Sequence, residues 1–335
     1  MSLRTGLGAA FALTRPAQWP ILTGQLLVGM LLVSPRAVGG GCWFNPWSGL
    51  VLVAVWAAWV PLLNGGTLAF NSAYDRDTGP VAYLARPPAP PSWLAGAALG
   101  AMCGGVLLAL LVVGPALALV VAVCVVLSVL YSHPVVRLKG RPGLDLLINM
   151  IGYGGATTLA GLLGGRAAHL PGLPAACPTG FGTAAWAHRP DWPVAAGSAT
   201  AQLAAALRDG GGPVVVAFAL LFGSFYPLTQ LYQLDDDRRR GDRTLAGVLG
   251  RRGSLGLALV LAVLAAGALA LACRARGGGW WWLLPAAALA AWLAHLANWL
   301  RRCRSYAAAD HERGMYRALA LWAGVDAALL VAWLN

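Results

Sequence analysis

The sequence predicts an all-α integral membrane protein, with nine transmembrane helices in a bundle around a central cavity and two aspartate-rich cytoplasmic loops. The chain is 59% hydrophobic but only 11% charged, which is less than half of the charged share of about 25% in water-soluble domains. Charged residues are absent from long stretches, and a helix needs about 20 apolar residues to cross the hydrocarbon core. Basic residues fall mainly on alternate loops, as is typical of a multi-pass membrane protein.

The charge-free stretches place the helices in order along the chain. Residues 87–136 contain two crossings, because Gly114 and Pro115 are typical of a turn between helices. The first apolar stretch is too long for a cleaved signal peptide, so we expect it to remain as the first helix. The nine predicted helices span residues 16–34, 48–74, 92–113, 115–133, 144–164, 213–235, 254–273, 280–300 and 316–334.

The 24 Lys and Arg residues indicate how the predicted bundle is oriented. Most of them fall on one set of loops, which the positive-inside rule assigns to the cytoplasm together with the N-terminus. The net charge of +12 therefore reflects membrane topology and does not predict nucleic-acid binding. We expect one domain over residues 1–335, in the cytoplasmic membrane if the source is bacterial. It has a long non-cytoplasmic insertion at about 166–212, with a short surface helix within 194–207.

Half of the 12 acidic residues lie in two short segments. The segments follow the second and the sixth predicted helix, so both emerge at the same cytoplasmic face. Consecutive aspartates repel one another and are costly beside hydrocarbon, so we expect a bound cation there. The six acids are Asp75, Asp77, Asp235, Asp236, Asp237 and Asp242.

Residue spacing in these segments points to a magnesium site. Asn71 and Asp75 are four residues apart and share one helical face, as do Gln233 and Asp237. Carboxylate and amide oxygens suit Mg²⁺, which binds substrate phosphates through one or two carboxylates. The arginines among these acids suit phosphate oxygens. The alternative is that each segment is a solvated helix cap with local ion pairs, but two such segments at one face favour a shared metal site.

A few polar residues lie within the predicted spans and are expected to face the bundle interior. Gln25, Asn64, Asn149 and Tyr153 are candidates for lining the cavity or contacting an acceptor, and interhelical hydrogen bonding is an equal alternative. Asp145 extends the helical face of Asn149 and Tyr153 by one turn. Asp326, in the last predicted helix, is expected to pair with an arginine.

In these segments the sequence resembles the UbiA-type family of intramembrane aromatic prenyltransferases. The first family motif, NDxxDxxxD, is matched at Asn71 and Asp75, while Ser72 and Gly79 occupy positions where the family has acids. Asp77 is the candidate replacement. The stretch from Asp237 to Leu245 resembles the family's D-x-x-x-G-x-x-T-L continuation, and Asp235 or Asp236 stands in for the acid that Gln233 replaces. Residues 131–139 are similar to the family's Tyr-to-Lys diphosphate-binding segment, with longer spacing.

The resemblance implies a Mg²⁺-dependent enzyme that ionises a polyprenyl diphosphate and transfers the prenyl group to an aromatic or other lipophilic acceptor. It implies catalytic roles for Asn71, Asp75 and Asp237. The implied metal-binding residues are Asn71, Asp75, Asp77, Gln233, Asp236 and Asp237, and the implied diphosphate-binding residues are Arg15, Arg76, Tyr131, Arg137, Lys139 and Arg243.

Two other functions stay open at this point. A UbiA-type terpene cyclase would use the same metal–diphosphate site, but its cation would close on itself. A cation or phospholipid transporter is the more distant alternative, because transporters place their sites near the bilayer midplane and these acids cluster at one face.

Overall fold

The computed structural model describes residues 3–32, 46–75, 79, 81, 84, 86–168, 198–208, 210–234, 243–277 and 279–334, and these ranges are helical apart from short turns and one isolated β-bridge. The α-helices are α1 (Leu3–Leu13), α2 (Trp19–Leu32), α3 (Pro46–Ala57), α4 (Gly66–Asp75), α5 (Leu94–Val112), α6 (Pro115–Ser132), α7 (Leu144–Asn149), α8 (Thr157–Ala168), α9 (Ala199–Ala206), α10 (Gly211–Gln230), α11 (Leu245–Ala275), α12 (Leu283–Arg302) and α13 (Ala308–Leu334). Two π-helical segments, Ala58–Gly65 and Met150–Ala156, continue α3 into α4 and α7 into α8.

The predicted fold class is confirmed: the described chain forms an all-helical bundle. Within it, eight helices are long and apolar enough to cross a membrane. Helix α2 contributes 14 described residues, and its predicted continuation to residue 34 lies outside the described ranges. The predicted count of nine spans therefore stays a prediction.

One helix begins earlier than its apolar stretch predicts, because a polar cap extends it beyond the hydrocarbon. Helix α13 begins at Ala308, and the side chain of Asp310 accepts a hydrogen bond from the Ala307 backbone N–H at 3.0 Å. The run α11 begins at Leu245, after Thr244 caps it by accepting from the Gly247 N–H at 3.2 Å, but Gly250 interrupts the helix with a φ of 66°. The membrane-spanning part of α11 therefore follows Gly250, close to the predicted start at residue 254. Hydropathy does not register either cap, since both consist of polar groups that satisfy free helix-end amides.

The predicted surface helix within 194–207 is confirmed in its described part. Helix α9 spans Ala199–Ala206, and the Ser198 side chain accepts from the Ala201 N–H at 3.3 Å. Residues 194–197 lie outside the described ranges.

Helices α2 and α8 pack at backbone distance through facing glycines. A Cβ atom on Gly161 would overlap the carbonyl oxygen of Leu26, and one on Gly29 would overlap the carbonyl oxygen of Thr158. Small residues at such crossings let membrane helices approach closely, where van der Waals packing drives association. This contact fixes the position of α2, which carries one wall of the cavity described below.

We expect Gly161→Ala to lower the stability of the protein by about 1–3 kcal/mol, the usual range for overpacking. Gly104→Ala is the matched control, because a Cβ at that position of α5 meets open space and alanine is the better helix former. Thermal unfolding in detergent, followed by tryptophan fluorescence, measures both. Equal melting temperatures for the two variants would contradict the close crossing.

The arginine partner predicted for Asp326 is wrong for the described part of the chain. The side chain is 3% exposed, and neither carboxyl oxygen has a hydrogen-bond partner among the described residues. Asp326 faces α2, where its carboxyl group lies beside Gly24.

Candidate active site

The bundle encloses a cavity of about 240 Å³. Its wall is largely apolar and aromatic, with Trp59, Tyr153, Phe222, Phe225 and Trp322 among the lining side chains. The ring of Tyr153 stacks on that of Phe222 at a centroid distance of 5.4 Å, and the ring of Phe225 meets Trp322 edge to face at 5.9 Å. The cavity is therefore suited to a hydrocarbon chain or another lipophilic group.

The four polar residues predicted within the spans all line this cavity. Gln25 donates to the Gly154 carbonyl oxygen at 2.6 Å and to the Thr158 hydroxyl at 3.2 Å, so its amide joins α2 to the opposite wall. Asn64 and Asn149 donate instead to carbonyl oxygens in their own helical runs. Interhelical hydrogen bonding therefore accounts for Gln25, while Tyr153 offers the cavity its aromatic face.

A polar cluster lies where α4 and α6 end, and we call it the Lys139 cluster (Asn71, Asp75, Ser132 and Lys139). The Asn71 side-chain oxygen accepts from the Lys139 Nζ at 2.9 Å and from the Ser132 hydroxyl at 3.0 Å. The same Nζ forms an ion pair with the Asp75 carboxylate. The Lys139 and Asp75 side chains are 14% and 19% exposed, so the pair is largely withdrawn from solvent.

The chemistry of the Lys139 cluster fits a magnesium ligand set. Two hard oxygen atoms, one from an amide and one from a carboxylate, are directed at a single positive charge from adjacent turns of α4. These are the atoms that Mg²⁺ prefers, and Mg²⁺ usually keeps several waters as well. A lysine at the same point also suits a phosphate oxygen, which it meets as a compact charge.

The acids of the second segment fall outside the described ranges. This leaves four predicted site residues without a described position: Asp236 and Asp237 of the second segment, and Asp77 and Arg76 of the first. In the part of the chain that is described, no three His, Cys, Asp or Glu side chains group together. The Gln233 amide donates to the Tyr232 hydroxyl at 3.1 Å, just beyond the end of α10.

The helices that carry the two acid segments nevertheless reach the same cavity. Asn71 of α4 and Thr229 of α10 both line it, near the ends of their helices. Tyr131 of α6 and Tyr226 of α10 meet across it, with their hydroxyl oxygens 3.1 Å apart. The loops that follow α4 and α10 therefore start from one end of one cavity.

Arg15 lies on the cavity wall in an unusual backbone conformation. Its φ of 53° is left-handed, which is uncommon for a residue other than glycine. The residue is 9% exposed, and its Nε has no hydrogen-bond partner among the described residues. Residues held in such a conformation cluster at ligand-binding sites, and a buried guanidinium group is suited to an anion.

The other predicted basic residues lie nearer the solvent. Arg137 precedes the Lys139 turn with a left-handed φ of 43°, and its side chain is exposed. Arg243 is exposed and directly precedes Thr244, the cap of α11. Both stand at loops on the same end of the bundle as the Lys139 cluster.

Tyr226 is the site residue that the sequence did not reveal. Its hydroxyl donates to the Asp145 carboxylate at 3.3 Å, and the Gln230 amide donates to the same carboxylate oxygen at 3.2 Å. Asp145 is fully buried. The only sequence signal is that Tyr226 and Gln230 are polar residues four positions apart within a charge-free stretch, which predicts a shared face but no partner.

These features define a multi-pass helical membrane protein with an apolar cavity and with polar and basic side chains at one end of the helical bundle. A model of the UbiA prenyltransferase family matches residues 26–322, and the chain belongs to this family. No curated protein matches the chain by sequence.

Solved structures share the fold at low identity. A structure described as giving insight into digeranylgeranylglyceryl phosphate synthase in membranes is 14% identical, with a TM-score of 0.64 over 98% of this chain and 99% of that one. The apo structure of a UbiA homolog from Aeropyrum pernix K1 is 17% identical, with a TM-score of 0.60 over 95% and 98%. A UbiA homolog from Archaeoglobus fulgidus, bound to DMAPP and Mg²⁺, is 14% identical, with a TM-score of 0.59 over 96% and 99%.

Proposed function

We propose that this protein transfers a prenyl group from a polyprenyl diphosphate to an aromatic or other lipophilic acceptor within the membrane, with Mg²⁺ as cofactor. The observation that carries the proposal is one apolar cavity that Arg15 and Asn71 line, with the ion pair of Lys139 and Asp75 in contact with Asn71. Family membership supports it, as does the related fold of the homolog that is bound to DMAPP and Mg²⁺.

In this proposal the two acid segments hold the metal and the basic residues hold the diphosphate. Mg²⁺, when bound, neutralises the charge that builds on the departing diphosphate. The ligands come from Asn71, Asp75, Asp77, Gln233, Asp236 and Asp237. Arg15 and Lys139 bind diphosphate oxygens from the cavity side, and Arg76, Arg137 and Arg243 bind them from the loops.

The cavity wall protects the allylic cation that forms when the carbon–oxygen bond breaks. Apolar side chains keep water from the cation. Tyr153, Phe222, Phe225 and Trp322 line the cavity, and aromatic rings attract cations. The same wall accommodates the prenyl tail and the acceptor.

The membrane orientation completes the proposal. The Lys and Arg bias puts the N-terminus and the acid-bearing loops on the cytoplasmic side. The single domain then draws its donor from the cytoplasmic face and its acceptor from the bilayer.

A diphosphate-release assay tests the proposed function. Purified protein is incubated with Mg²⁺, prenyl diphosphates of graded length and a membrane-lipid extract, and both diphosphate and organic products are measured. Release with a prenylated acceptor supports transfer. Release without an acceptor, together with a cyclic hydrocarbon or alcohol, would instead identify a cyclase, and no release from any donor would contradict both.

We expect Arg15→Gln to raise the donor KM about tenfold, equivalent to about 1.4 kcal/mol, with little change in kcat. The reason is that a buried guanidinium group binds the diphosphate equally in the ground state and the transition state. Arg313→Gln is the matched control, because Arg313 is 68% exposed and pairs with Asp310 at 2.5 Å on the surface. A change confined to the acceptor KM would contradict the role of Arg15.

A further inference from the structure

A hydrogen-bonded chain leads from the cavity to a buried carboxylate that the proposed function has not used. Tyr131 and Tyr226 both line the cavity. Their hydroxyl oxygens are 3.1 Å apart, and the Tyr226 hydroxyl donates to the Asp145 carboxylate at 3.3 Å. Asp145 has no solvent exposure. A molecule therefore reaches this hydrogen-bonded chain of side chains from the cavity.

The contacts of Asp145 fix the carboxylate as the accepting end of the chain. One oxygen accepts from the backbone amides of Gly143 and Leu146, both at 2.8 Å. The other oxygen accepts from Tyr226 and, at 3.2 Å, from the Gln230 amide. Gln230 is itself oriented by the Ala246 N–H, which donates to its side-chain oxygen at 3.0 Å. Four donors thus converge on Asp145.

This arrangement sets the direction of both tyrosine protons. Each tyrosine hydroxyl has one proton to donate. The Tyr226 proton goes to Asp145, so Tyr226 is able only to accept from Tyr131. The Tyr131 proton is then committed to Tyr226. The Asn149 side chain hydrogen-bonds the Tyr131 hydroxyl as well, so one of the two lone pairs of the Tyr131 oxygen is left for the cavity. That orientation suits a group in the cavity that gives up a proton to Tyr131.

We propose that Tyr131 is the proton acceptor for a phenolic prenyl acceptor, and that Tyr226 and Asp145 are positioning residues that carry the proton away. This inference rests on the proposed prenyl transfer. A phenol fits the site because its hydroxyl group can donate a hydrogen bond to the Tyr131 oxygen, and a positioned relay that takes up this proton as the new bond forms acts as a general base.

The proposed step balances as follows. The carbon–oxygen bond of the donor breaks, and the diphosphate leaves with the electron pair. The O–H bond of the acceptor breaks, and its proton passes to the Tyr131 oxygen while the Tyr131 proton passes to Tyr226 and the Tyr226 proton passes to Asp145. The phenolate oxygen forms a new bond to the allylic carbon. The products are the prenyl aryl ether, diphosphate and a protonated Asp145.

Two conservative variants separate this role from simple packing. Tyr226→Phe removes the linking hydroxyl and leaves Asp145 with its two backbone donors and the Gln230 amide. Asp145→Asn retains an oxygen for those donors but removes the proton acceptor. Ser224→Ala is the matched control, because it removes another buried hydroxyl of α10, which accepts from the Trp292 indole at 3.1 Å and is not among the cavity-lining residues.

The experiment uses the full-length protein in detergent, the donor that gives the fastest diphosphate release, and 4-octylphenol or its methyl ether as acceptor. We expect the wild type to prenylate the phenol and not the ether. Tyr226→Phe and Asp145→Asn should lose at least about 10²-fold in transfer, the lower end of the range for general-base catalysis, with diphosphate release within about threefold of the wild type. Ser224→Ala should keep the wild-type ratio of product to diphosphate.

A second acceptor tests whether the loss concerns proton transfer. A ring-fluorinated octylphenol ionises more readily, so its transfer should depend less on the two positioning residues, and the deficit of both variants should shrink. An equal deficit for both phenols would overturn the inference, as would unchanged product ratios or a wild type that prenylates the ether as well as the phenol. A wild type that releases no diphosphate would instead overturn the proposed function.

Discussion

Replacing Asp75 by asparagine should lower the rate of Mg²⁺-dependent diphosphate release by at least about 10²-fold, the loss typical for removing one group that stabilises transition-state charge. The variant keeps the size and one oxygen of the side chain but loses the negative charge that meets Lys139. In the proposed site that charge is needed to hold the metal beside the diphosphate. Steady-state release at saturating donor measures the effect.

Asp310→Asn is the control for the Asp75 variant. Asp310 also forms an ion pair with a basic residue, Arg313, but at an exposed position at the start of α13. Surface pairs of this kind contribute roughly 0–1 kcal/mol, and we expect near-normal release from this variant. Near-normal turnover in Asp75→Asn, with the protein folded, would remove Asp75 from the metal site.

The second large effect is non-additive. Asp237→Asn alone should cost about as much as Asp75→Asn, and the double variant should be little slower than either single one. Residues that act as one unit show such non-additive losses, because the first substitution already removes the shared ion. The measured quantity is the coupling free energy from the four diphosphate-release rates.

The coupling free energy also distinguishes a shared metal site from two separate ones. If the two acid segments were independent solvated caps, the losses of the single variants would add in the double variant. Fully additive losses, with all variants folded, would therefore contradict a common site. If both single variants released diphosphate at the wild-type rate, that result would contradict a catalytic role for either segment.

Most of the fold was predictable because the membrane imposes a strong requirement on sequence. A span must be predominantly apolar over about 20 residues, and eight of the nine predicted spans correspond to described helices that are long and apolar enough to cross a membrane. The π-helical segments Ala58–Gly65 and Met150–Ala156 were not predictable, because one extra residue in a helical turn leaves hydropathy unchanged. The start of α13 depends on the cap at Asp310, which hydropathy also ignores.

The candidate site was predictable where its residues are neighbours in the sequence. Asn71 and Asp75 share a helical face by their spacing, and in the structure an oxygen of each contacts the ammonium group of Lys139. The contact of Tyr226 with Asp145 joins residues 81 positions apart, and only the packing of α10 against α7 brings them together. The same holds for Arg15, since its burial and left-handed backbone depend on the walls around it.

The central claim is that the aspartates after α4 and α10 bind a common divalent ion. The most direct test is a structure of the protein with Mn²⁺ and a prenyl thiodiphosphate analogue, in which anomalous scattering locates the metal. We predict metal ions at about 2.0–2.6 Å from carboxylate oxygens of both Asp75 and Asp237, the range of hard-cation coordination, with the diphosphate between the two segments. Metal bound by only one segment, or two segments too far apart for one metal–diphosphate unit, would contradict the claim.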